Sequence, residues 1–134
     1  MPDGTPLAIV GQVDIERARR LVRTMAQTVG FNRADAEAIV LSVSELATNL
    51  LRYAQEGSML LATVEESDRR GIRIESRDHG PGIENLEHAL QDDFSTRSSI
   101  GSGIPSVGRL MDDFSIESGP SGTLIVAQKW IPIH

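Results

Sequence analysis

Apolar residues recur along this chain at two periods, one near 3.6 residues and one of 2, in alternating blocks. After a Pro/Gly lead, Leu7 to Gln12 reads as a short edge strand. Asp14 is an expected N-cap; Ile15, Ala18, Leu21, Val22 and Met25 then fall on one helical stripe, and Gly30 supplies a stop. Asn32 is the expected cap of a second, longer helix, with Ala36, Ile39, Val40, Val43, Leu46, Ala47, Leu50 and Leu51 on its apolar side.

Met59 to Val64 reads as a strand, Asp68 to Gly71 as a turn, and Ile72-Arg73-Ile74-Glu75 as a half-buried strand because apolar and charged residues alternate. Asp78 to Gly82 is Gly/Pro-rich loop, and Asn85 to Leu90 a short helix. Asp92 to Gly103 has no period and predicts a long loop. Ile104 to Met111 returns to helical spacing. Phe114 to Ser118, a turn at Gly119 to Gly122, and Thr123 to Trp130 predict a closing hairpin. No repeat or linker interrupts the pattern. The expectation is one domain over residues 1–134, of α+β class, with helices layered on one face of a largely antiparallel sheet.

Composition narrows the function. Apolar residues are 40% of the 134, enough for a core, but aromatics are only 4%, so aliphatic side chains must fill it. The net charge of -6 argues against a nucleic-acid partner and against an anionic membrane surface. It does not exclude phosphate, which backbone amides, helix N-termini and a bound cation can hold. Cysteine is absent, which removes disulfides, thiolate zinc sites and thiol nucleophiles. No signal-peptide plan and no apolar run of membrane-spanning length is present, and a cytoplasmic location is expected.

Four constellations carry candidate chemistry. Glu45 and Asn49 stand at i and i+4 of the long helix, ~6 Å apart along its axis. A carboxylate there can take a proton, and an amide oxygen can bind a hard cation, although such a pair is otherwise a solvated helix face. Asp78-His79-Gly80-Pro81-Gly82-Ile83 follows a strand: Asp78 can accept from an exocyclic amine, while Gly80 and Gly82 let a flat ring approach the backbone. Without a ligand this is an ordinary strand-to-loop turn. Gly101-Ser102-Gly103 bares amides before a helix start, a phosphate cradle or a plain flexible loop. Gly122-Thr123 opens the last strand and on its own is a hairpin turn.

The order and spacing of these four, from Ala36 to Trp130, resembles the GHKL ATPase/kinase superfamily with its Bergerat-type ATP site. Within it the chain resembles RsbT-type switch kinases. The residues that carry this are Ser44-Glu45-Leu46-Ala47-Thr48-Asn49 with Arg52-Tyr53-Ala54, then Phe94-Ser95-Thr96, Gly103-Ile104-Pro105, Arg109-Leu110-Met111-Asp112-Asp113-Phe114 and Gln128-Lys129-Trp130.

The resemblance implies a two-layer sandwich with a mixed, mostly antiparallel sheet, ATP and Mg²⁺ as cofactors, and serine/threonine kinase activity. It implies Glu45 as general base, Asn49 as the Mg²⁺ ligand and Asp78 as acceptor of the adenine amine. Gly80, Gly82, Ile83 and Thr123 would complete the base pocket. Gly101, Ser102 and Gly103 would hold phosphate, with Arg97 near the γ-phosphate. GHKL histidine kinases carry a helical module for the phosphorylated His, and His79, His88 and His134 lie on no candidate dimerisation helix, so the acceptor is expected on another protein. In the family it is a STAS-domain antagonist, with a PP2C-type phosphatase or a sigma-regulating protein as a further partner. An anti-sigma-like binder whose partner choice is set by ATP or ADP is the alternative.

Overall fold

The computed structural model describes residues 4–53, 57–78, 99–119 and 122–131, with the side chains of 53 and 99–103 excepted. Along the chain these form β1 (Gly4–Ala8), α1 (Gln12–Val29), α2 (Arg33–Tyr53), β2 (Gly57–Glu66), β3 (Arg69–Asp78), α3 (Ser99–Leu110), β4 (Asp113–Gly119) and β5 (Gly122–Trp130). The sheet order is β1-β2-β3-β5-β4, and each of its four ladders is antiparallel. This is the expected α+β sandwich.

Register explains which face the helices cover. Leu61, Ile74 and Ala127 lie opposite one another across three strands, and Met59, Ser76 and Ile125 form the next row. All six are buried, because alternate residues of a strand share one face. The helices supply the opposing layer: Ile15, Ala18, Val22 and Ala26 from α1, Ile39, Val43, Leu46 and Leu50 from α2, and Ile104 and Val107 from α3. Each fully buried Val, Leu, Ile or Met side chain contributes about 1.5–3 kcal/mol of transfer free energy. The intervening positions Arg73, Glu75 and Arg77 turn to the other face and stay partly or fully exposed.

The caps show how local chemistry sets the helix ends. Asp14 is not the N-cap of α1; Gly11 is, and Asp14 sits inside the first turn. Its carboxylate accepts the N–H groups of Val10 and Gly11, both at 3.0 Å. Glycine has no side chain to cap with, so only this return half of a capping box exists. At the other end Gly30 takes φ 112°, the left-handed conformation that a C-cap glycine supplies, and Ala26 O accepts from both Gly30 and Phe31. Asn32 caps α2 as expected, its Oδ1 accepting from the Asp35 N–H at 2.8 Å.

Three boundaries differ from the sequence reading. β1 lies at the sheet edge but runs earlier, over Gly4–Ala8. The β2–β3 turn is Ser67-Asp68 rather than Asp68 to Gly71, with Ser67 at φ 54°. Gly71 lies inside β3, where the strand passes so close to the Lys129 carbonyl that a β-carbon has no room. Finally, α3 is already helical at Ser99, so Gly101, Ser102 and Gly103 belong to a helix and not to a loop ahead of it. Ile100, Ile104 and Val107 continue one helical stripe, which draws the glycines into the element. Pro105 therefore stands in the helix interior, where it removes the N–H that would bond the Gly101 carbonyl.

Cations from the sheet complete two helix ends. Arg70 Nε donates to Val29 O at 2.9 Å, and Lys129 Nζ donates to Leu110 O at 2.9 Å. Both meet the negative end of a helix dipole.

Candidate nucleotide site

The site begins where β3 ends. Asp78 lies opposite Thr123 in the β3–β5 ladder, and its Oδ1 accepts the Thr123 N–H at 3.2 Å. Thr123 is itself opposite Ser118 across the β4–β5 hairpin, with their hydroxyl oxygens 2.9 Å apart. Asp78, Thr123 and Ser118 thus form a polar row at one end of the sheet. They line a cleft of about 340 Å³, bordered also by Arg77, Gly119 and Gly122. That is within the usual size of a small-molecule pocket.

The end of α2 comes to the same end of the sheet. Leu50 packs against Gly57, and Gly57 is the ladder partner of Asp78. Glu45 and Asn49 are both half-buried on α2. Glu37 reaches from one flank of that helix to Arg23 of α1. Twelve residues on, at 100° per residue, Asn49 stands about 120° around the helix from Glu37; α3 also packs on α2.

The Asn49 Nδ2 atom is buried with no hydrogen-bond partner. A buried amide nitrogen left unpaired costs about 1–3 kcal/mol, so an acceptor from outside the chain would stabilise it; Arg19 Nε is the other buried nitrogen without a partner among the described residues. The amide offers an oxygen for a hard cation and N–H groups for phosphate oxygen or water. Among the described residues no three His, Cys, Asp or Glu side chains converge as a metal cage. Mg²⁺ keeps waters and phosphate oxygens and takes one or two protein ligands, so the Asn49 amide oxygen together with nucleotide phosphates could hold it. The residues present therefore fit a nucleotide with its metal.

Asp78 and Thr123 are brought into direct contact, and the Glu45–Asn49 helix shares their end of the fold. Gly101, Ser102 and Gly103 are described in backbone only, within α3. Gly80, Gly82, Ile83 and Arg97 lie outside the described residues. Ser118 was not marked by the motifs. Its signal was the hairpin register, which puts it directly across from Thr123.

A family model described as a histidine kinase-like ATPase domain matches residues 12–129. The serine/threonine-protein kinase RsbT of Bacillus subtilis is 39% identical over 132 residues, covering 98% of this chain and 99% of that protein. The chain belongs to the histidine kinase-like ATPase family, as an RsbT-type serine/threonine kinase. An anti-sigma F factor of Caldanaerobacter subterraneus is 33% identical over 120 residues, 85% of this chain and 83% of that protein. Among solved structures, the RsbU and RsbW domains of a Mycobacterium tuberculosis protein superpose with TM-score 0.63 at 18% identity, over 97% of this chain and 34% of that one. At that identity the match speaks for the fold alone. The fold of this histidine kinase-like ATPase thus agrees with the family by sequence and by shape.

Proposed function

We propose that this RsbT-type kinase transfers the γ-phosphoryl group of Mg-ATP to a serine or threonine of a STAS-domain antagonist, within a cytoplasmic partner-switching module. A PP2C-type phosphatase or a sigma-regulating protein is the further partner. The observation that carries the nucleotide reading is the unpaired buried amide of Asn49 at the end of the fold where Asp78 is locked to Thr123. Asp78 holds the adenine amine, Asn49 holds Mg²⁺, and Glu45 takes the proton of the attacking hydroxyl. Catalysis of this kind is positioning and charge neutralisation. Gly80, Gly82, Ile83, Arg97 and the Gly101–Gly103 backbone complete the nucleotide contacts. Among the described residues no helix is long and apolar enough to cross a membrane.

The anti-sigma F relatives support a second reading, in which nucleotide-dependent binding matters more than transfer. Glu45 separates the two. Glu45→Ala should bind Mg-ATP as the parent does and lose ~10²–10⁴ in phosphotransfer to a STAS-domain substrate. Transfer at the parental rate by Glu45→Ala would remove the base and with it this mechanism.

A further inference from the structure

We propose that Ser118 orients the Thr123 hydroxyl and thereby selects adenine over guanine; this rests on the nucleotide reading of the Asp78 cleft. Ser118, Thr123 and Asp78 stand in register on β4, β5 and β3. Thr123 is 6% exposed, its N–H is given to Asp78 Oδ1, and its hydroxyl oxygen lies 2.9 Å from that of Ser118.

Each hydroxyl brings one proton and two lone pairs, and one proton fills the contact between them. If Thr123 donates to Ser118, Thr123 can only accept from a ligand. If Ser118 donates, Thr123 keeps its proton for the ligand. Adenine presents an amine beside a bare ring nitrogen; guanine presents a carbonyl beside a ring N–H. A carboxylate such as Asp78 accepts and so takes the amine. The neighbouring ring nitrogen then needs a donor. Thr123 supplies it, directly or through one water, when Ser118 has filled a Thr123 lone pair. Guanine is opposed twice, its carbonyl by the carboxylate and its N–H by a donor. Ser118 acts through Thr123 and is a positioning residue.

The test compares ADP and GDP binding by calorimetry, with thermal melts to verify folding. Ser118→Ala should weaken ADP about 3–10-fold, the loss of one net hydrogen bond, and leave GDP no weaker, so that discrimination falls by at least that factor. Ser118→Thr, which keeps a hydroxyl on the same β-carbon, should restore ADP affinity. The KM for ATP should rise in Ser118→Ala with kcat constant. Should Ser118→Ala fail to fold, Thr123→Val and Ser118→Thr carry the test: Thr123→Val should lose the same discrimination, and Ser118→Thr should keep it. Unchanged ADP binding in Ser118→Ala, equal losses for ADP and GDP, a failed rescue by Ser118→Thr, or unaltered discrimination in Thr123→Val would each overturn the proposal. Asp78→Asn tells the two levels apart. If it weakens ADP while Ser118→Ala does not, the positioning role fails and the site stands. If neither changes ADP binding, the cleft itself is not the base pocket.

Discussion

Leu50 occupies the space into which a side chain at Gly57 would project: a β-carbon on Gly57 would lie 2.9 Å from Leu50 Cδ2 and 3.0 Å from its Cβ. This contact sets how closely the end of α2 approaches the strand end where Asp78 stands. Gly57→Ala should push the two apart. It is expected to cost ~1–3 kcal/mol by overpacking and to weaken Mg-ATP binding as Asn49 is displaced. Leu50→Ala in the same chain should recover part of the affinity. Melting curves with and without Mg-ATP measure both effects.

Asn49→Ala should separate stability from function. It removes a buried amide nitrogen that has no partner, so the nucleotide-free protein should melt no lower than the parent. The gain from Mg-ATP, ~2.7 kcal/mol at a hundredfold excess over the dissociation constant, should be lost. A lower melting point with the Mg-ATP gain intact would contradict the assignment.

Gly71→Ala should do the reverse. The Lys129 carbonyl leaves no room for a β-carbon, so the β3–β5 ladder must part locally. A loss of ~1–3 kcal/mol or more is expected by denaturant titration. Gly71 pairs with Trp130, at the opposite end of the ladder from Asp78 and Thr123, so nucleotide affinity of the folded fraction should hold.

The Arg23–Glu37 pair gives a pH-dependent prediction. Arg23 donates from Nε and Nη2 to the two carboxylate oxygens at 3.1 and 3.2 Å. This hydrogen bonding, and secondarily the charge of Arg23, holds the Glu37 carboxyl below its usual range against the opposing effect of desolvation. A depressed folded pKa stabilises fully above the unfolded value, ~4.3, and the contribution fades as pH falls through the lowered folded value. Both side chains are substantially exposed, so the effect is small and screened by salt. The stability difference between parent and Glu37→Gln should be present at pH 7, shrink in high salt, and close in acid.

Much of this fold was legible because its signals are local. The α2 stripe and the Asn32 cap each depend on a few neighbouring residues, and the β4–β5 hairpin on alternation around glycines. The misplaced turn shows where that fails. Gly71 looked like a turn glycine, but its lack of a side chain serves a contact with Lys129, 58 positions away in sequence. Asp14 looked like a cap because a helix start without a capping side chain, as at Gly11, has no local mark. The glycines of α3 hid a helix because its apolar stripe, not propensity, decides the matter. At the site, Asp78 and Thr123 were readable as motif residues, whereas Ser118 acquires meaning only through strand register.

Among the described strands, the one bearing Thr123 is made last and lies in the interior of the sheet, between β3 and β4. Asp78 therefore waits through 45 residues of synthesis for its clamp. A nascent chain halted before β5 would display an open β3 edge and half a nucleotide site, a natural target for chaperones and proteases. Nucleotide binding at Asp78 would then wait on the synthesis and pairing of β5.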